Sequence, residues 1–168
     1  MTFTLTSDAF GDHARIPARY TCEGSDISPP LQWQDPPRGT KSFALVMDDP
    51  DAPDPRAPKM TWVHWVVVDI PGESRQLPEN AGRSGLPAGA YQGLNDWKRP
   101  SYGGPCPPIG EHRYFFTLYA LNTTLPGLGQ PTKAQLLGSI EGHVLGQAQL
   151  VGTYIKHASS HHERSYPR

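Results

Sequence analysis

A mostly β fold, a sandwich or open sheet with one or two peripheral helices, is predicted by three observations. They are a series of β-rich apolar runs, one convincing helix late in the chain, and long proline-rich connections. The runs are Phe3 to Thr6, Leu31 to Trp33, Ser42 to Met47, Val63 to Val68, Arg113 to Leu121 and Gln147 to Ile155. Each is rich in Val, Phe, Tyr, Trp or Thr and is bounded by Pro, Gly, Asn or Asp. Ser42 to Met47 and Val63 to Val68 are apolar on both faces, as central strands covered on both sides would be. For the helix, Thr132 can cap the N-terminus with Gln135 as its capping-box partner. Leu136, Leu137, Ile140 and Val144 then recur at helical spacing, and Gly142 or Gly146 would end it. Pro71 to Gly104 carries little periodic signal and reads as a long functional or self-packed loop.

Hydrophobic residues make up only 36% of the chain, and 19 Pro with 17 Gly approach the composition of disordered segments. They punctuate well-formed apolar runs, however, so residues 1–168 are read as a single folded domain with a polar tail from about 157. A net charge of -1 without a basic stripe lacks the footprint of a nucleic-acid binder. The longest apolar stretch, Trp62 to Ile70, contains His64 and Asp69, so stable membrane insertion is not expected. Met1 to Phe10 does not read as a signal peptide, and a cytoplasmic location is expected by default. In that compartment Cys22 and Cys106 are expected to be reduced, a Cys22–Cys106 disulfide being the alternative, and their spacing is not that of a zinc site. No cofactor is implied.

Two stretches carry the chemistry. Asp49 ends an apolar run and opens a loop stiffened by Pro50, Pro53, Pro55 and Pro58, and His64 lies near the start of the next run. If the two strands pair, His64 returns towards Asp49, which could accept a hydrogen bond from an imidazole N–H. His112 and Tyr114, two residues apart on another strand, share a face, while Arg113 points away to brace the loops. Gly103, Gly104 and Gly110 allow close backbone approach, and their amides could hold an anion. Two imidazoles and a carboxylate suit a phosphate, whose second pKa of about 6 matches theirs of about 6.5. Taken singly, an Asp before Pro is a turn initiator and a His in a β run a satisfied core residue. Trp33, Trp62 and Trp65 read as core and Trp97 as a rim residue. His157, His161 and His162 belong to the polar tail and are not read as a metal site.

The segments Asp49-Pro50-Asp51-Ala52-Pro53, His64-Trp65-Val66-Val67, Gly104-Pro105-Cys106-Pro107-Pro108 and Gly110-Glu111-His112-Arg113-Tyr114 closely resemble the phosphatidylethanolamine-binding protein, or Raf kinase inhibitor protein, family. Thr21-Cys22-Glu23-Gly24-Ser25-Asp26 and Ser28-Pro29-Pro30-Leu31-Gln32-Trp33 resemble its bacterial and archaeal branch, over roughly Phe3 to Ile155. The resemblance implies a central antiparallel sheet packed on a smaller one. It also implies an anion pocket of Asp49, His64, Gly104, Pro107, Pro108, His112 and Tyr114, a cis Ala52–Pro53 bond, and a homodimer. Eukaryotic members cover the pocket with a C-terminal helix. Here only a short polar tail follows Ile155, so a more open mouth is expected, and Cys106 would be a wall residue or a modest redox liability.

The reading favoured is a non-enzymatic binding protein for phosphate, phosphorylated head groups or carboxylates. The alternatives are a kinase or protease inhibitor acting through exposed loops, and a hydrolase using Asp49 and His64. No nucleophile elbow, phosphate-binding loop or zinc-protease motif supports the last.

Overall fold

The computed structural model describes residues 2–157 and has two sheets. The strands are β1 (Thr4–Thr6), β2 (Ala14–Arg15), β3 (Leu31–Gln34), β4 (Ser42–Ala52), β5 (Met60–Pro71), β6 (Gln76–Leu77), β7 (Tyr91–Gln92), β8 (His112–Leu121) and β9 (Val144–Tyr154). A one-turn helix α1 (Ala81–Ser84) and the longer α2 (Lys133–Ile140) complete the regular structure, with a 3-10 turn at Ala18–Tyr20. The large sheet runs β2-β9-β8-β4-β5-β7 and the small one β1-β3-β6. All pairings are antiparallel except that of β2 with β9.

The doubly apolar runs are central strands for the reason the sequence suggests. On β4, Phe43, Leu45 and Met47 face the small sheet, where they pack with Leu5, Leu31 and Trp33. The alternate residues Ala44 and Val46 face the other way, onto Leu136 and Ile140 of α2. The period-2 alternation of a strand thus delivers apolar groups to two separate cores. Buried indoles find acceptors: Trp33 Nε1 donates to Ser74 O at 2.9 Å and Trp65 Nε1 to Gln92 Oε1 at 2.7 Å.

The capping box forms as expected: Gln135 N donates to Thr132 Oγ1 at 3.2 Å, and Thr132 N donates to Gln135 Oε1 at 3.0 Å. The helix stops at Ile140, and Val144 opens β9 instead of extending the helical stripe. Glu141 is extended and Gly142 takes φ +84°, which reverses the chain at the nearer of the two candidate stops. An ion pair between Lys133 Nζ and Asp48 Oδ2 at 2.6 Å ties α2 to β4. Short elements within 71–104 (β6, α1 and β7) lack periodicity and could not be read from the sequence.

The expectation of reduced cysteines is overturned: Cys22 and Cys106 form a disulfide with Cα atoms 5.5 Å apart. Residues on either side bring the two loops together. Tyr102 Oη donates to Tyr20 O at 2.7 Å, Gly104 N to Asp26 Oδ1 at 2.8 Å, and Cys22 N to Pro105 O at 3.1 Å. The bond closes a loop spanning 84 positions. Replacing both cysteines by serine is expected to cost about 4 kcal/mol, from the chain entropy such a closure removes from the unfolded state. That corresponds to a fall in Tm of roughly 10 °C. Urea unfolding with and without reductant measures the effect, and equal midpoints would contradict it.

Candidate functional site

Three adjacent strands of the large sheet, β8, β4 and β5, each deliver polar side chains to one end of the face that looks towards the small sheet. Asp49 on β4 lies opposite Trp62 on β5, and Met47 opposite Trp65, with Asp48 opposite Val63 between them. That register leaves His64 as the extra residue of a β-bulge. Strict alternation would put His64 on the opposite face from Trp65. The bulge re-aims it into the site, and the segment after Trp97 holds it there. Gly103 N donates to His64 O at 3.0 Å, and His64 Nδ1 lies 2.7 Å from Gly103 O. A carbonyl can only accept, so Nδ1 carries the proton.

Asp49, 3% exposed, is paired with His112, which is fully buried. His112 Nδ1 lies 2.6 Å from Asp49 Oδ2, and Nε2 lies 2.9 Å from Ile109 O and 3.0 Å from Pro53 O. Every partner is an acceptor, so both ring nitrogens carry hydrogen and the ring is an imidazolium. Burial opposes that charge, but the hydrogen bond and charge of Asp49, helped by the two carbonyls, outweigh it and raise the His112 pKa above its ordinary value. The second Asp49 oxygen accepts from Asp51 N at 2.7 Å. Asp51 in turn takes two bonds from the Arg113 side chain, at 2.8 and 3.0 Å, which hold its carboxyl below the usual range. The Ala52–Pro53 bond in this loop is cis.

These groups surround a cavity of about 240 Å³. Asp49, His64, His112, Tyr114, Pro107 and Pro108 line it, so the structure brings together six of the seven residues singled out from sequence. Gly104 is not among the lining residues. It packs behind the wall, where an added Cβ would sit 2.4 Å from both Asp26 Oδ1 and Tyr20 O. The Gly103 and Gly104 amides, expected to face an anion, are instead bonded to His64 O and Asp26 Oδ1. The partner expected for Asp49 is also corrected: it is His112, because the bulge turns His64 towards Gly103.

An aromatic frame fixes the imidazoles. His64 meets Trp97 and Tyr114 edge-on, with centroids 5.0 and 5.2 Å apart, and His112 stacks at 6.3 Å on Tyr114. Trp97 lines the cavity as the sequence suggests. Trp62, read as core, lines it too. Its Nε1 is buried and has no hydrogen-bond partner among the described residues. Its place opposite Asp49 was the available signal, had the register been known. Among the tail histidines, His157 lies 3.6 Å from Glu23, while His161 and His162, with the rest of the tail after 157, lie outside the described residues.

Residues 6–155 match the family model described as phosphatidylethanolamine-binding protein. The chain belongs to the phosphatidylethanolamine-binding protein family. A UPF0098 protein of Methanothermobacter thermautotrophicus is 51% identical over 151 residues, covering 89% of this chain and 97% of that one. The crystal structure of a phosphatidylethanolamine-binding protein homologue from Chlamydia trachomatis superposes with TM-score 0.83 at 40% identity, covering 92% of this chain and 98% of that one. Carboxypeptidase Y inhibitor, solved with its cognate proteinase, shares the fold alone, at 20% identity and TM-score 0.53 over 90% of this chain and 81% of that one. No helix among the described residues of this family member is long and apolar enough to cross a membrane.

The raised His112 pKa has a definite sign. Stability contributed by the protonated ring is fully present below the ordinary histidine pKa of about 6.5 and is lost as pH rises through the higher folded value. An NMR titration is expected to place His112 above about 6.5, with Asp49→Asn lowering it. A value at or below the ordinary one would contradict the assignment.

Proposed function

We propose that the cavity captures a small anionic group, a phosphate, phosphorylated head group or carboxylate, without turning it over. The observation that carries the reading is Trp62 Nε1, a buried donor without a hydrogen-bond partner among the described residues, in a wall shared with a buried imidazolium. A buried unpartnered N–H costs about 1–3 kcal/mol, which an acceptor in the cavity would recover. His112 cannot donate to that acceptor while its nitrogens hold Asp49, Ile109 and Pro53, so its role is a fixed positive charge. His64 contributes an imidazole held by Gly103 O, and Tyr114 a phenol, while Pro107 and Pro108 shape the wall. A volume of about 240 Å³ falls below the range of about 300–1,000 Å³ for drug-sized ligands and suits a head group.

The hydrolase alternative lacks a free carboxylate among the described lining residues. Both Asp49 oxygens are committed, to His112 and to Asp51 N, and the two sulfurs of the lining, in the Cys106 disulfide and the Met60 thioether, are not nucleophilic thiols. The inhibitor alternative has the shared fold behind it but no loop feature of this chain. A bonded Cys22–Cys106 pair removes the ground for assigning the cytoplasm by default, since such bonds persist in oxidising compartments.

Differential scanning fluorimetry with phosphate, phosphoethanolamine and acetate tests the reading. Tm is expected to rise with the logarithm of ligand concentration above Kd. Trp62→Phe, which keeps a ring but removes the donor, is expected to weaken binding by about tenfold. No shift at millimolar ligand, or equal affinity in the variant, would overturn the proposal.

A further inference from the structure

Two sequence segments singled out above, Thr21 to Asp26 and Ser28 to Trp33, supply no lining residue to the cavity just described. Asp26 and Ser28 instead line a second hollow of about 240 Å³, between the loop before β3, helix α1 and the loop that follows Trp97. Its polar walls include Arg83 from α1 and Arg99 and Ser101 from that loop. Both arginines are exposed residues, and neither guanidinium has a hydrogen bond or ion pair among the described residues. Ser28 is the reverse: only 1% exposed, with an Oγ that has no hydrogen-bond partner among the described residues. Its position is fixed by its own carbonyl, which accepts from Asn80 N at 2.9 Å at the entrance to α1.

We infer that this hollow is a second anion site, which takes a phosphate, sulfate or carboxylate group through Arg83, Arg99 and the Ser28 hydroxyl. A hydroxyl buried without a partner is costly, and a charged acceptor is the group that satisfies it and two guanidinium forks together. The opposing charge in the wall is Asp26, and one of its oxygens already accepts from Gly104 N. Two guanidinium groups against one carboxylate leave the hollow net positive. The site is independent of the first cavity in its ligating groups. Between them lies a hollow of about 510 Å³, which shares the lining residues Trp62 and Trp97 with the first and Asp26, Arg99, Ser101 and Tyr102 with the second.

NMR titration of the full chain with inorganic phosphate at low ionic strength tests the inference. Saturable shifts are expected at the Ser28 amide and at the Arg83 and Arg99 Nε resonances. The Arg83→Gln/Arg99→Gln double variant alters only exposed side chains, and is expected to raise the Kd read at Ser28 at least about tenfold. Ser28→Ala is expected to raise the Kd read at the two arginine resonances by about threefold. Trp62→Phe should leave these shifts unchanged even if phosphate at the first cavity is lost, which separates the two sites. No saturable shift at Ser28, the same Kd in the double variant, or loss of the Ser28 response in Trp62→Phe would overturn the second site.

Discussion

The buried pair of His112 and Asp49 is the constraint around which the pocket end of the molecule is organised. One carboxylate holds the imidazolium with one oxygen and the turn into Asp51 with the other. The ring's second nitrogen reaches carbonyls on both the Pro53 and Ile109 segments. Loops that follow β4 and precede β8 are thereby fixed to each other through a single side chain. Burying two charges is expensive and the attraction between them need not repay it, so the pair is better understood as a device for position than for stability. Losing one partner would leave the other uncompensated, at a cost of about 3–5 kcal/mol.

A second device fixes the remaining imidazole. The outer edge of β5 is paired with β7 only at Val67 and Val68, and beside the bulge that carries His64 the loop after Leu94 fills it. Asp96 N donates to Val63 O, Val63 N to Asp96 Oδ2, and Gly103 N to His64 O. Backbone groups that a neighbouring strand would have satisfied are thus satisfied by a loop, which brings Trp97 over the cavity. The long aperiodic segment thus gives the cavity one wall residue, Trp97.

Strands and helix were legible because their signals are local. Alternation, β-branched content and the Thr132–Gln135 box each lie within a few residues of chain. Two-residue elements such as β2, β6 and β7 have too few positions to show a period and exist only through their partners. The residues of the site were likewise readable, but their pairings were not. Which histidine meets Asp49 depends on a one-residue bulge, and a one-residue change in register moves a side chain to the other face. The Cys22–Cys106 bond and the place of Trp62 in the cavity wall were not fixed by local signals for the same reason, since both arise from contacts between segments distant in sequence. The glycine amides misled because their small size serves packing: Gly103 lies against the Trp97 ring and Gly104 against the Tyr20 carbonyl.

The sequence distances within the pocket bear on when it comes into being. Asp49 and His112 are 63 positions apart, His64 and Gly103 are 39 apart, and β8 must insert between β4 and β9 before its histidine can be buried. Contacts of such span are entropically late events in folding. A nascent or half-assembled chain therefore has no such hollow, and an intact cavity becomes a certificate of completed assembly.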